Sequence, residues 1–292
     1  MRIKNLLLLL AAVSCAQGHK RYTTEFPFTE KYAQIEVIGE SRDPRLRELS
    51  GLALSKANKG FLWAHNDSGD EPRVFLIDQQ GNTHLTVYLS NAKHIDWEDI
   101  TIGEMGNKTM IFVGDIGDNR AERDNIQIYA FEEPVLDSLN SEIFEAEAER
   151  MNITYDEGAR DAETLFFDHL YKELILITKR EEKVTVHSFA FKPETSAVSI
   201  SSTVKLPITQ ITAGDANTQG EILLKNYNEI YLIENRKKRP LFEILTEPEI
   251  LRVKYQEEKQ GEAICWDENG EGFYVLSEWN DNEPQPFYYY HD

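Results

Sequence analysis

The stretch QGEAICWDENGEGFYVLSE, residues 260–278, holds a short apolar run, a polar turn and a second apolar run. Glu262 stands at the start of the first run, which alternates through Ile264 and Trp266. Apolar alternation with a period of two, bounded by Asp, Asn and Gly, is typical of two β-strands joined by a turn. The segment therefore predicts a hairpin with a carboxylate placed where its first strand begins.

The same arrangement recurs in four other places. In three of them the polar residue is Ser50 in ELSGLALS, Glu98 in DWEDITIG and Glu163 in DAETLFFD. The fourth, QITAGDANTQGEILL, carries Thr212 there, and Gly220 follows it by eight residues as Gly270 follows Glu262. We call these five residues the anchors: Ser50, Glu98, Glu163, Thr212 and Glu262. They are separated by 48, 65, 49 and 50 residues, and a period near fifty is typical of a propeller blade.

Further β-branched and aromatic runs follow each anchor at similar spacings, so the sequence predicts an all-β fold. We predict a five-bladed β-propeller over residues 31–292, with a β-sandwich as the rival fold. The fifth repeat ends without a fourth strand, and AQIEVIGE (33–40) supplies a spare one. We expect this N-terminal strand to close the ring beside the last blade, which removes exposed sheet edges. The acidic segment 133–150 lengthens the second repeat and is interpreted as a surface loop or one short helix.

The N-terminus, MRIKNLLLLLAAVSCAQG, has two positive charges, an apolar run over residues 6–13 and then Cys15. The run is too short to span a bilayer and fits a secretory signal peptide, residues 1–14, followed by a tether, residues 15–30. AVSC resembles a bacterial lipobox, which predicts an exported protein held at the cell envelope by a lipid on Cys15. Cleavage after Gly18, giving a soluble secreted protein, is the alternative.

The chain is acidic, with a formal net charge of -20 that becomes -22 once Arg2 and Lys4 leave with the signal peptide. Such a surface disfavours nucleic acid, because phosphate contact needs clustered Lys and Arg. It suits divalent cations, or solubility alone. Cys265 then has no partner for a disulfide. We expect a monomer whose membrane contact is the lipid anchor only.

In a propeller the first strand of each blade lines the central channel, so the anchors should converge on one axis. Three glutamates there would raise one another's pKa values unless a cation lay between them. Ligands that offer only oxygen suit a hard cation, calcium more than magnesium. No anchor is His or Cys, which argues against zinc. We therefore predict that the five anchors bind calcium. The alternative is a water-filled channel whose carboxylates pair with Arg47, Arg160 or Lys259.

The second strand of each blade runs antiparallel to the first, so its end returns to the face where the anchors lie. That face should carry catalytic candidates, which are His65, Asp67 and Asp115. It should also carry candidates for binding an anionic substrate, which are Asn66, Asn119, Lys179, Arg180, Asn226 and Glu278. These segments are rich in Gly, Asp and Asn, so Asx turns that merely end strands are the alternative interpretation.

At these residues the chain resembles the soluble calcium-activated nucleotidases, secreted apyrases that hydrolyse nucleoside di- and triphosphates. ELSGL, DWEDI, DAETLFF and GEAICW are similar to the motifs that hold a central calcium in that family, and Thr212 replaces a serine. The basic residues that bind phosphates in apyrases have no clear counterpart here. The chain also resembles exported bacterial propellers of the phytase-associated esterase-like and SdiA-regulated types.

Two functions from different classes follow. The first is a calcium-dependent hydrolase of phosphoanhydride or phosphoester bonds, acting at the propeller mouth on a small anionic substrate. The second is a non-catalytic surface propeller that binds a glycan, peptide or protein, with calcium only as a structural ion on its axis. A basic pocket over the metal would favour the first function, and an apolar or aromatic mouth would favour the second.

Overall fold

The computed structural model describes residues 26–138, 142–193 and 197–292, and the predicted signal peptide and Cys15 lie outside them. The chain forms five sheets, almost entirely antiparallel, arranged as the blades of a propeller. The N-terminal strand is β1 (Gln34–Glu40). The first blade follows as β2 (Leu49–Leu54), β3 (Phe61–Asn66), β4 (Arg73–Asp78) and β5 (Thr83–Leu89).

The remaining strands follow the predicted period. The second repeat contains β6 (Trp97–Met105), β7 (Lys108–Asp115), β8 (Ile126–Glu132), β9 (Ile143–Ala146) and β10 (Glu149–Tyr155). The third contains β11 (Ala162–Asp168), β12 (Glu173–Thr178), β13 (Val184–Phe189), β14 (Val198–Ile200) and β15 (Lys205–Leu206). The fourth contains β16 (Ile211–Ala216), β17 (Ile222–Asn226), β18 (Ile230–Ile233), a short helix α1 (Leu241–Ile244) and β19 (Ile250–Val253). The fifth contains β20 (Gly261–Trp266), β21 (Gly272–Ser277) and β22 (Pro286–His291).

The prediction of a five-bladed propeller is confirmed. The first strands of the blades, β2, β6, β11, β16 and β20, contact one another in a closed ring around the axis. The glycine eight residues after the anchor adopts the left-handed conformation in three blades, at Gly106, Gly220 and Gly270, with φ values of 63°, 83° and 72°. These turns therefore need glycine, which explains the recurring residue.

The N-terminal strand closes the ring beside the last blade, as the sequence predicts. Strand β1 pairs antiparallel with β22, with Ile35 opposite Tyr290 and Val37 opposite Tyr288. Tyr32, just before β1, is 4% exposed and packs edge-on against Trp266 and Phe273. Strand pairing and aromatic packing thus hold the two ends of the chain together.

Two blades gain a fifth strand from the repeat that follows them. The acidic segment of the second repeat contains a 3-10 helix (Leu136–Ser138) and then β9, which pairs parallel with β5 of the first blade. In the same way β14, from the third repeat, pairs parallel with β10 of the second blade. The interpretation of the acidic segment as a loop or single short helix therefore missed a strand. Both added strands cover sheet edges that would otherwise be unpaired.

Part of the predicted tether packs on the propeller. Within residues 26–30, Phe28 bridges to Arg252 on β19, and the backbone N–H of Arg252 donates to the Pro27 carbonyl at 2.8 Å. The Arg252 guanidinium lies over the Phe28 ring, 3.9 Å from its centroid. Across the described ranges, no helix is long and apolar enough to cross a membrane.

Candidate functional site

The five anchors occupy equivalent positions in the structure. Each is the second residue of its blade's first strand, and in every blade the strand register shifts at that residue. A bulge re-aims a side chain and is common beside active sites. The ends of the second strands lie opposite these positions, so the segments predicted to share one face do share it.

Glu98 lies at the centre of the acidic cluster at this mouth. One of its oxygens lies within 4.8 Å of carboxylate oxygens of Asp67 and Asp96, which are also within that distance of each other. A second triad joins Glu98 to Asp161 and Glu163 within the same limit. Glu98 is 2% exposed, and among the described residues no donor hydrogen-bonds to its carboxylate.

The cluster is electrostatically strained without a cation. Burial, and then the charge of Glu163, raise the pKa of Glu98 well above its ordinary value. Burial raises the pKa of Asp67 to about 6, and burial together with Asp161 raises the pKa of Asp96. Within the described part of the chain, Asp67, Asp96 and Glu98 form no ion pair. Each shift means that the folded state disfavours the charged form of the carboxylate.

On the opposite side of the mouth a buried lysine compensates the anchors. Lys179 is 6% exposed, forms an ion pair with Glu163 and lies 3.0 Å from the Tyr227 hydroxyl. That hydroxyl donates to Oε1 of Glu262 at 3.0 Å. Burial alone would lower the pKa of Lys179, but Glu163 raises it above the ordinary value. Lys179 thus remains charged and serves two anchors, Glu163 directly and Glu262 through Tyr227.

Glu262 and Glu278 form a carboxyl pair at the end of this network. Burial, followed by the charge of Glu262, raises the pKa of Glu278 to about 9, and the two side chains hydrogen-bond. The Gln260 amide donates to Oε1 of Glu278 at 3.0 Å. Two carboxyl groups in contact retain a proton between them, because both cannot ionise at low cost.

The hydroxyl anchors bind the neighbouring blade. Ser50 Oγ donates to the Glu98 carbonyl at 2.7 Å, and Thr212 Oγ1 donates to the Gly261 carbonyl at 3.1 Å. A hydroxyl that donates its proton keeps lone pairs that can bind a cation. Both residues therefore tie successive inner strands together while still offering an oxygen.

The cations named in the water-filled channel alternative contact other groups. The guanidinium of Arg47 lies 5.3 Å from the ring centroid of Trp279. Arg160 Nε lies 3.7 Å from Glu181, and Lys259 Nζ lies 3.8 Å from Asp281. Among the described residues, the cation that pairs with an anchor is instead Lys179.

Four of the predicted catalytic and substrate-binding residues lie inside the blades or in strand-ending turns. His65 is fully buried, its Nδ1 donates to the Asn66 carbonyl at 2.7 Å, and burial lowers its pKa to about 4. Asn66 donates to Asp70, and the Asn226 oxygen accepts two backbone N–H groups, as in an Asx turn. Asp115 pairs with Arg123 at 2.9 Å. These contacts place the four side chains in the supporting structure around the mouth.

Arg180 and Asn119 meet at the rim. Arg180 forms an ion pair with Asp161, and its guanidinium also donates to Asn119 Oδ1. The Arg180 side chain is 44% exposed, so one face of this cation reaches solvent. The Asp161 carboxylate additionally accepts the Asp118 backbone N–H at 2.8 Å. The rim thus offers one accessible guanidinium beside the acidic cluster.

Sequence reasoning missed Asp96, Asp161, Tyr227 and Gln260. Three of them stand two residues before an anchor, in DWE, DAE and QGE. Each of these three residues lies just before its inner strand begins, so the recurrence of a polar residue at that spacing is the signal that could have identified them. Tyr227 has no such signal, because it reaches Glu262 from the turn after β17.

No family model matches the chain, and no curated protein matches it. The fold is similar to a chain in the nidogen/laminin complex, with a TM-score of 0.44 and 11% identity over 78% of this chain and 72% of that one. The fold is also similar to a gluconolactonase from Xanthomonas campestris, with a TM-score of 0.46 and 10% identity over 89% of each chain. For the WD40 domain of Pan2 from Neurospora crassa the TM-score is 0.43 and the identity 8%, over 91% of this chain and 98% of that one. None of these three is described as an apyrase, and likeness at this level carries no inference about activity.

Proposed function

We propose that this chain is a calcium-binding propeller that hydrolyses phosphoanhydride or phosphoester bonds at its acidic mouth. The observation that carries the proposal is the carboxylate of Glu98. It is buried, receives no hydrogen bond from the described residues and is surrounded by four other carboxylates. An uncompensated buried carboxylate is costly, and a bound cation removes that cost.

The residues fit calcium. Calcium takes six to eight oxygen ligands at about 2.3–2.6 Å, so its ligand oxygens lie up to about 5 Å apart. The oxygens of Asp67, Asp96 and Glu98 meet that spacing, all within 4.8 Å of one another. Ser50 and Thr212 add hydroxyl oxygens on the same ring of strand positions. In this proposal Asp67 moves from the catalytic candidates to the cation ligands.

A bound divalent cation polarises a phosphoryl oxygen and lowers the pKa of a bound water. The chain's own contribution is to hold anionic groups beside that position. Arg180, half exposed at the rim, can bind a phosphate oxygen with its solvent-facing side. The Lys179 ammonium already binds Glu163 and Tyr227. In this proposal its positive charge attracts an anionic substrate to the mouth, and no direct hydrogen bond from Lys179 to the substrate is needed.

The experiment is a hydrolysis screen of the purified protein against nucleoside triphosphates, phosphate monoesters and aryl esters, with calcium and with chelator. We expect release of inorganic phosphate from a phosphoanhydride or phosphoester only when calcium is present. Glu98→Gln should abolish that release, and Glu132→Gln, an exposed carboxylate far from the mouth, should retain it. Turnover that is unaffected by chelator would contradict the proposal.

One observation favours the second function, a non-catalytic propeller that binds a glycan, peptide or protein. Lys179 and Arg180, the two cations predicted to bind an anionic substrate, already pair with carboxylates, so neither is wholly available to a phosphate. If calcium stabilises the protein but no substrate in the screen turns over, this second function is the better account.

We also infer that the chain is exported and lipid-anchored through Cys15. Labelling of expressing bacteria with a fatty-acid analogue, for the natural chain and for Cys15→Ala, tests this. Label that persists in the alanine variant would contradict it.

A further inference from the structure

The acidic cluster consists of two triads that share one residue. The oxygens of Asp67, Asp96 and Glu98 lie within 4.8 Å of one another, and so do those of Glu98, Asp161 and Glu163. The five carboxylates do not all meet this limit together, so the triads overlap at Glu98 without forming one group of five. The mouth thus has two groups of three carboxylates whose oxygens are close enough to share a cation.

The two groups differ in what neutralises them. Within the described ranges no residue of the first triad forms an ion pair, although the charge of Arg123, which pairs with Asp115, also acts on Asp96. In the second triad Lys179 pairs with Glu163, and Arg180 pairs with Asp161 from the rim. Lys179 is the more deeply placed of these two cations, with its side chain 7% exposed against 44% for Arg180.

Tyr227 holds the Lys179 ammonium in place. Its hydroxyl lies 3.0 Å from the lysine Nζ and 3.0 Å from Glu262 Oε1, and the ammonium lies 5.2 Å from the tyrosine ring centroid. Glu163 and the Tyr227 hydroxyl thus both bind the ammonium, which restricts its position as well as balancing its charge.

We propose that the mouth has two cation positions bridged by Glu98, and that the ammonium of Lys179 permanently fills the second. The inference rests on the proposed function in that the first position, Asp67–Asp96–Glu98, is the one taken by calcium. Lys179 is then the residue that limits the site to a single divalent ion. An ammonium is a point charge with three donors and satisfies carboxylates much as an ion does.

The test counts calcium ions bound per chain by equilibrium dialysis at neutral pH. The natural protein should bind one ion at this mouth. Lys179→Met keeps the length of the side chain and removes the charge, so it should bind two. Lys179→Arg should bind one, since it retains a cation there. Lys179→Met combined with Glu163→Gln should also return to one, because the opened position has lost a ligand.

The outcomes separate this inference from the function it rests on. A count of one for Lys179→Met, with the fold intact in chelator, would overturn it, and so would two ions in the natural protein. No ion in the natural protein would refute the proposed calcium site. If the natural protein binds no ion but Lys179→Met binds one, the result still supports a cation position that lysine fills. If neither protein binds an ion, both the calcium site and the lysine-filled position are refuted. If the methionine variant does not fold, Lys179→Gln, whose amide can keep the hydrogen bond to Tyr227, is measured in its place and read by the same criteria.

Discussion

Gly117 lies directly against Glu98. A Cβ atom built on Gly117 would come within 2.1 Å of Glu98 Oε1 and 2.5 Å of Asp96 Oδ2, distances that no real contact allows. The Gly117 N–H also donates to the Asp96 carbonyl at 3.1 Å. The backbone of the β7–β8 loop therefore forms a wall of the acidic cluster, and this wall exists only because the residue has no side chain.

Gly117→Ala should accordingly damage the cation site. The added methyl must displace the carboxylates of Glu98 and Asp96, and we expect calcium affinity to fall at least tenfold, measured by calorimetric titration. Gly114→Ala is the control, because its Cβ would meet only the apolar side chains of Ile116 and Leu165, at 3.2 Å. Equal calcium affinity in the two variants would show that the loop is not part of the site.

Ring closure depends on Tyr32. Its side chain is 4% exposed, packs against Trp266 and Phe273, and donates to the Gly270 carbonyl at 3.3 Å. Tyr32→Ala should lower the free energy of unfolding by about 3 kcal/mol, the cost of deleting a large buried aromatic side chain. Urea denaturation measures it. Tyr171→Ala, at an exposed tyrosine, should cost little, and a comparable loss in both would argue against the packing role.

Glu133 joins the first two blades. Its buried carboxylate accepts hydrogen bonds from Ser55 Oγ, the Lys56 and Ala57 N–H groups and Trp63 Nε1, at 2.5–3.1 Å. Glu133→Gln replaces one acceptor oxygen with a donor, which leaves buried donors unpaired. We expect a loss of about 2 kcal/mol or more in unfolding free energy. The neighbouring Glu132→Gln, on an exposed side chain, is the matched control, and a stability loss no larger than in that control would refute the role assigned to Glu133.

The pH dependence of the calcium-free protein follows from the acidic mouth. Burial raises the pKa values of Asp67, Glu163 and Glu278 to about 6, 8 and 9, from ordinary values of 3.8 and 4.5 for Asp and Glu, and at Glu163 it outweighs the opposing charge of Lys179. A carboxyl with a raised pKa in the folded state stabilises the fold when protonated, and this stability is lost as pH rises through the folded pKa.

In chelator the melting temperature should therefore fall between about pH 5 and pH 9. Calcium, which binds the ionised carboxylates, should reduce or reverse the fall. In Glu278→Gln, measured in chelator, the melting temperature should fall less at the alkaline end of this pH range, because the group with a pKa of about 9 is gone. A melting temperature that is constant or rises over this range without calcium would contradict the assigned environment of these groups.

The blade skeleton was predictable because its signal is local and repeated. Each anchor begins a short alternating run, so Ser50, Glu98, Glu163, Thr212 and Glu262 identify all five inner strands and the face on which they meet. The added strands β9 and β14 were not predictable, since they are short and pair with a blade that has already ended in the sequence. The sequence has no periodic pattern that identifies a short strand which pairs with the edge of an earlier blade.

The site was predictable only in part for a related reason. The anchors and Lys179 could be placed on one face from strand direction, but the pairing of Lys179 with Glu163 and Tyr227 depends on side-chain contacts between blades. The sequence therefore predicts a symmetric ring of ligands. The structure divides that ring into an uncompensated side around Glu98 and a side that Lys179 already neutralises.

The most direct test of a cation at Glu98 is the melting temperature of the natural protein with calcium and with chelator, beside Glu98→Gln. A ligand that binds only the folded state adds about 2.7 kcal/mol at a hundredfold excess over its dissociation constant. We predict that calcium raises the melting temperature of the natural protein, that Glu98→Gln does not respond, and that in chelator the variant melts at or above the natural protein because carboxylate repulsion is relieved. Superimposable melting curves for the natural protein with calcium and with chelator would contradict the account.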